Sequence, residues 1–282
     1  MKVILVYIVF LFSFSTSIGQ HFNPSEEEQE KYTPYLMPLF ENGHIKRDGS
    51  VSDYGLKILD SLYYTDSSSL FLKGLLIQTN LDLIYNSLRT DRINQCISII
   101  NSFTSENRSP NYYTLAPLNR YLGNFKTAIS YYNIELSSPD IDSQARDLIL
   151  NNLIGTYLDA NENKKAYETM LQLKSINDID VPNSMFAKVY YRNNKLDSAL
   201  IYADKAFQEE KKDYSIYTTK AKILKAKGKT DGICTLVQQA MALIEEQKLE
   251  QMLEQRDKTN PFIQLQIKDI DETKQLKKEY CN

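Results

Sequence analysis

The apolar residues of this chain recur at the spacing of amphipathic α-helices, and the helices that they predict come in pairs. In residues 53–64, for example, Leu56, Leu59 and Leu62 fall on one helical face. Five predicted helix breaks are each followed, five positions later, by a small or apolar residue at the start of a second helix. These residues are Cys96, Ala128, Ala166, Ala199 and Ile233, with separations of 32, 38, 33 and 34 positions. A period in the low thirties predicts a helical-hairpin solenoid, whose units stack on one another.

The clearest of these units spans residues 184–207. One face of its first helix carries the apolar residues Phe186, Ala187 and Tyr190. Asn193 and Asn194 predict the end of that helix, because asparagine tolerates the left-handed conformation of a helix C-terminus. The inner face of the second helix is built mostly from small residues, which let two helices approach closely: Leu196, Ala199, Leu200, Ala203 and Ala206.

This pattern resembles the tetratricopeptide repeat, in which an aromatic residue closes the first helix, Gly or Asn makes the turn and Ala opens the second helix. The order recurs in two further sets, Tyr157, Asn161 and Ala166, and Leu115, Gly123 and Ala128. Less complete copies end at Ile233 and Cys96, so the resemblance covers residues 77–247. It implies an all-α fold, a right-handed superhelical solenoid of antiparallel helix pairs.

The first 19 residues have the pattern of a signal peptide. Lys2 precedes an apolar run over residues 3–14, and small residues precede a cleavage point before Gln20. An uncleaved N-terminal anchor is the alternative. This leader and the Tyr-, Asn-, Ile- and Lys-rich composition resemble exported envelope proteins of the Bacteroidetes group. The resemblance implies export to the periplasm or cell envelope, or secretion.

The remaining chain divides into three predicted parts. Residues 20–76 are interpreted as an N-terminal helical cap or diverged repeat, residues 77–247 as the repeats, and residues 248–282 as C-terminal capping helices. A solenoid needs caps because its end faces are otherwise apolar.

The charge of the chain argues against two classes of partner. Of 33 Lys and Arg residues, Lys2 would be removed with the leader, which leaves 32 basic against 36 acidic side chains, a net charge near −4. We therefore expect no nucleic-acid or anionic-membrane binding. The apolar run of the leader is shorter than the ~20 residues of a membrane span, so no stable span is expected after cleavage. The oligomeric state is left open.

The sequence offers little for catalysis. His21 and His44 are the only histidines, and neither is placed near a nucleophile or a second metal ligand. A phosphate-binding glycine loop and a dinucleotide fingerprint are both absent. The prediction is a non-catalytic protein without a cofactor or metal.

Two of the three cysteines are expected to pair. Cys234 in the last hairpin and Cys281 in a Lys-rich terminal helix resemble an arrangement found in small exported bacterial repeat proteins, and the compartment after export is oxidising. A Cys234–Cys281 disulfide would close a loop of 47 residues and pin the terminal helix onto the last repeat as a cap. Loop-closure entropy assigns such a bridge about 4 kcal/mol. Two free thiols are the alternative.

The third cysteine, Cys96, occupies the small-residue position of its repeat. It is expected to be a buried small hydrophobe, with pairing between chains as the alternative.

In the family that the chain resembles, the first helices line a concave face that binds extended peptides. Counting back 15, 11, 8 and 7 positions from each small residue projects twenty residues onto this face, of which six are Lys or Arg and one is acidic. The predicted groove residues are Tyr85, Arg89, Tyr113, Arg120, Tyr121, Asn151, Lys188, Tyr191, Arg192, Lys222 and Lys225. Arginine forks bind carboxylates, and tyrosines give rigid contact area.

Two functions follow from these residues. The first is a protein-interaction scaffold of the cell envelope that binds an acidic or extended peptide segment in a basic, Tyr-lined groove. The alternative is a helical-repeat protein that binds a small molecule or glycan, with Tyr in place of the absent Trp. Ordinary solvated cations on exposed helix positions are the alternative explanation of the basic stripe.

Overall fold

The computed structural model describes residues 25–46, 51–104, 112–139, 141–176, 182–208 and 213–281. The predicted signal peptide and His21 lie outside these ranges. The described residues form helices and turns, with one isolated bridge between Ile45 and Val51 and no strand. Backbone contacts divide the chain into two compact units, Met1–Pro110 and Asn111–Asn282.

The first unit contains four described α-helices and a short 3-10 turn at Thr90–Arg92. The helices are α1 (Glu26–Glu41), α2 (Asp53–Thr65), α3 (Leu70–Ser87) and α4 (Ile93–Thr104). A serine caps each of the first three helices, because its hydroxyl accepts a hydrogen bond from a backbone N–H of the first turn. The helix predicted over residues 53–64 is confirmed as α2, whose Leu56 and Leu59 are buried.

The second unit is built from four helical hairpins followed by a C-terminal segment. The hairpins are α5 (Tyr112–Tyr121) with α6 (Phe125–Leu136), α7 (Ser143–Asp159) with α8 (Asn163–Ile176), α9 (Asn183–Arg192) with α10 (Leu196–Ala206), and α11 (Tyr214–Ala226) with α12 (Ile233–Glu246). The segment that follows holds α13 (Leu249–Glu254) and α14 (Pro261–Tyr280). Each helix of the hairpins packs on the next one along the chain, which confirms the all-α helical-repeat fold.

The same turn closes all four hairpins. The residue at its centre has a left-handed backbone in each case, at Gly123 (φ 80°), Asn161 (φ 59°), Asn194 (φ 56°) and Gly228 (φ 69°). The next N–H donates to a carbonyl five positions back, over 2.8 to 3.0 Å, which is the hydrogen bond of a Schellman helix end. Five positions after the turn residue lie Ala128, Ala166, Ala199 and Ile233, all fully buried. The alanines at three of these positions allow the two helices to approach closely.

The first unit departs from this rule. Cys96 is fully buried like its equivalents, but the left-handed residue before it is Leu88, eight positions back, and not five as the repeat predicts. The 3-10 turn at Thr90–Arg92 takes up the additional residues. Burial raises the pKa of the Cys96 thiol to about 12, as expected of a small buried hydrophobe.

Two turn glycines offer a matched pair of substitutions. An added Cβ would meet ring atoms of Pro261 at 2.6 Å in Gly123→Ala, but nothing within 4 Å in Gly228→Ala. We expect Gly228→Ala to lower the free energy of unfolding by about 1–2 kcal/mol, the cost of a left-handed alanine. Gly123→Ala should lower the free energy of unfolding by about 1–3 kcal/mol more than Gly228→Ala does, because the start of α14 must move to make room for the new methyl group. Chemical denaturation measures both; equal losses would contradict the close packing of α14 on this turn.

Candidate functional site

The first helices of the hairpins share one cavity in the second unit, of about 610 Å³. Apart from the N-caps of α9 and α11 and the C-cap of α12, Gln247, the lining from the hairpins comes from first helices: Arg120 of α5, Gly155, Leu158 and Asp159 of α7, Ser184, Met185, Lys188, Tyr191 and Arg192 of α9, and Tyr214, Ser215, Thr219 and Lys222 of α11. We call this lining the inner face. It brings together five of the predicted groove residues, Arg120, Lys188, Tyr191, Arg192 and Lys222.

Helix α14 borders the same cavity from the other side, through residues that include Leu265, Gln266 and Asp269. Its start is fixed locally, since Asn260 caps the helix and Pro261 occupies the first position. That start lies against α5: the Asn260 side-chain amide donates to the carbonyl of Tyr121 over 3.0 Å, and the Phe262 and Tyr121 rings are 4.6 Å apart. The C-terminal helix therefore contacts the first hairpin of the unit.

The far end of α14 lies against the last hairpin. Leu276 is buried with the apolar residues of α11 and α12, and the Thr273 hydroxyl hydrogen-bonds that of Thr218 over 2.8 Å. Beyond the helix, the sulfurs of Cys281 and Cys234 lie at disulfide distance, with Cα atoms 5.0 Å apart. This is the cysteine pair that the sequence predicts.

Carboxylates of α14 neutralise two of the predicted groove cations. Lys222 forms ion pairs with Asp269, at 2.9 Å, and with Glu272. Burial alone would lower the pKa of Lys222, but the two carboxylates outweigh it and raise that pKa. Lys225 pairs with Glu279 at 2.5 Å, and this hydrogen bond raises the pKa of the lysine and lowers that of the glutamate.

A third cation is paired within the inner face itself. The Arg120 guanidinium donates to Asp159 over 2.6 Å and lies 5.9 Å from the centre of the Phe262 ring. A Cβ at Gly155 would come within 3.1 Å of the guanidinium, so the small residue leaves space for it.

The wall formed by α9 is different. Lys188 donates to the Ser215 hydroxyl over 3.0 Å, and that hydroxyl in turn donates to Asp213. Arg192 is exposed. Within the described ranges neither Lys188 nor Arg192 forms an ion pair. They flank Tyr191 on the cavity side of α9.

The other predicted groove residues are placed elsewhere. Tyr113 is half-buried on α5, and burial raises its pKa. Asn151 is half-buried on α7, and its side-chain oxygen has no hydrogen-bond partner among the described residues. Arg89 belongs to the first unit, where it pairs with Asp91 at 2.9 Å and Asp53 at 3.4 Å. Tyr85 lies on α3, but its side chain is outside the described part of the structure.

Sequence reasoning missed the acidic stripe of α14. Asp269, Glu272, Leu276 and Glu279 are spaced by three or four positions, so they fall on one helical face, and this periodicity was the available signal. Among the described residues, no group of His, Cys, Asp and Glu side chains is arranged to hold a metal ion. Within the same ranges, no helix has the length and apolar character needed to cross a bilayer.

These hairpins, with their left-handed turns and buried small residues, define a helical-repeat protein with a tetratricopeptide-repeat-like fold. The structure is similar to the crystal structure of a tetratricopeptide repeat protein from Parabacteroides merdae ATCC 43184, with a TM-score of 0.54 and 15% sequence identity. The similarity covers 91% of this chain and 100% of that chain. Searches of protein-family models and of curated proteins match nothing. At this identity the likeness establishes the fold alone.

Two ion pairs between α11 and α14 allow a direct comparison of their strength. The Lys222 side chain is 18% exposed, whereas the Lys225 side chain is 41% exposed. In a double-mutant cycle, Lys222→Ala and Asp269→Ala should show a coupling energy of about 1–2 kcal/mol in the free energy of unfolding. The cycle of Lys225→Ala and Glu279→Ala is the control and should show a clearly smaller coupling, because water screens an exposed pair. Equal couplings would mean that the lower exposure of Lys222 does not strengthen its ion pair with Asp269.

Proposed function

We propose that this protein is a non-catalytic interaction scaffold of the bacterial cell envelope, which binds an acidic or extended peptide segment on its inner face. Protein–protein interaction is the general role of the fold. The partner's carboxylates would bind Lys188 and Arg192 on α9, with Tyr191 between them as an apolar contact.

One observation carries this proposal. The inner face already receives acidic side chains, since Asp269 and Glu272 of α14 pair with Lys222 there. The neighbouring cations of α9 border the same cavity without such a pair among the described residues. An incoming carboxylate gains charge-assisted hydrogen bonds from Lys188 and Arg192 and displaces no internal ion pair.

Location in the envelope rests on the leader pattern of residues 1–19. Export would bring the chain into an oxidising compartment, which suits the Cys234–Cys281 pair.

A second candidate function is the binding of a small molecule or glycan. The cavity volume of about 610 Å³ supports it, because ligand pockets for small molecules range over roughly 300–1,000 Å³. Tyr191 and Tyr214 border the cavity together with Asp213 and Gln266, which are groups suited to a hydroxylated ligand.

A displayed library of random peptides, selected on the purified protein, tests the scaffold function. We expect the selected peptides to be enriched in Asp and Glu. Their affinity, measured by fluorescence anisotropy, should fall at least about tenfold in the double variant Lys188→Ser, Arg192→Ser, because two charge-assisted contacts are lost.

The matched control is the double variant Lys126→Ser, Lys164→Ser. It removes the same charge from exposed positions of α6 and α8, which do not border the cavity. An equal loss of affinity in both variants would mean that peptide binding depends on the net charge of the protein and not on Lys188 and Arg192. A selection without acidic enrichment would contradict the proposed peptide class and favour the small-molecule function.

A further inference from the structure

Helix α14 is held on the second unit at its two ends and borders the cavity between them. At its start, Asn260 and Phe262 contact Tyr121 of α5. Its C-terminal half lies on a surface that we call the α14 seat, formed by Thr218, Lys222 and Lys225 of α11 and by the apolar side chains of α12 around Leu276.

The α14 seat has the chemistry of a binding surface for an amphipathic helix. Thr218, Lys222 and Lys225 are spaced by four and three positions, so they form one polar stripe along α11. Opposite them, Asp269, Glu272 and Glu279 form the acidic stripe of α14. Water can hydrate such a polar stripe when it is vacant. A helix with the same acidic stripe and an apolar residue at the place of Leu276 would fit there, as helices fit grooves generally.

The cysteine pair is placed to act as a latch for this half of α14. Cys281 follows the last turn of the helix, and Cys234 lies in the first turn of α12. Both residues are partly exposed, so a soluble dithiol can reach the bridge. Because the 47-residue loop is closed at this point, the bridge keeps the C-terminal half of α14 at the seat.

We propose that the α14 seat is an exchangeable helix-binding site that the Cys234–Cys281 disulfide keeps closed. Once the disulfide is reduced, the C-terminal half of α14 leaves, and an acidic amphipathic helix of a partner protein binds in its place. This inference builds on the proposed scaffold function, but it concerns α11 and α12 and not the cations of α9.

Opening the latch requires a dithiol as the reductant. Its first thiolate attacks one sulfur of the bridge, which forms a mixed disulfide and releases the other cysteine as a thiolate. The second thiol then displaces the remaining cysteine. The dithiol is oxidised to a disulfide, and its two electrons and two protons convert Cys234 and Cys281 to thiols.

Hydrogen exchange of the full chain, oxidised and after treatment with a dithiol, tests the release of α14. We expect the amides of residues 269–280 to exchange at least about tenfold faster after reduction, since local opening becomes more frequent. The amides of α7 to α10 should keep their rates and thereby report an intact fold in the same sample. Unchanged rates in residues 269–280 would overturn the proposal. So would a general loss of protection, because the bridge would then maintain the fold itself.

A labelled peptide tests the vacant seat. The probe has the sequence of residues 259–281 with Cys281→Ser, and the control peptide also carries Asp269→Asn, Glu272→Gln and Glu279→Gln. We expect the probe to bind the reduced protein saturably in fluorescence anisotropy. Binding should be at least about tenfold weaker to the oxidised protein, and also for the control peptide, because the charge-assisted pairs are missing. Absence of binding to the reduced protein would overturn the proposal.

The variant Lys188→Ser, Arg192→Ser separates this result from the test of the proposed function. It should bind the probe as the wild type does, because the α14 seat does not include α9. If this variant failed to bind the probe, the two sites would be one, and the proposal of a separate helix-binding site would be overturned.

Discussion

The second unit depends on a fixed step of five residues from a left-handed turn to a fully buried residue. The turn reverses the chain with one hydrogen bond of Schellman type, and the buried residue, Ala in three of four hairpins, sets how closely the two helices approach. Because every hairpin repeats this geometry, residues at the same distance before the buried position point the same way. Gly155, Lys188 and Lys222, each eleven positions before the buried residue of its hairpin, therefore border one cavity.

Helix α14 determines which cations of the inner face remain without an ion pair in the described part of the chain. Asn260 and Pro261 decide where the helix begins, and the Cys234–Cys281 pair fixes where it ends. Between these points the carboxylates of α14 neutralise Lys222 and Lys225. The face is consequently not one continuous basic surface, and the cations without an internal ion pair among the described residues are those of α9. Binding specificity would then come from a small part of a long face.

The sequence predicted much of the fold because its signals are local. The breaks at Gly123, Asn161 and Asn194 and the buried alanines are such local signals, whereas the cysteine pair, 47 positions apart, was predicted from a resemblance to exported repeat proteins. The groove projection contained Arg120, Lys188 and Tyr191, which border one cavity, and their role in binding stays a prediction. The projection was less informative about the charge of the face. It counts positions along each first helix and therefore does not include the carboxylates of α14, which lies opposite.

The sequence by itself therefore determined the helical hairpins, their turns and their buried small residues, since each depends on contacts within a few positions along the chain. Only the tertiary structure decided which cations are neutralised. Arg120 meets Asp159 across 39 positions, Lys222 meets Asp269 across 47, and Asn260 reaches Tyr121 across 139. No local periodicity specifies such a pairing, because it follows from where packing and loop closure place α14 against the inner face.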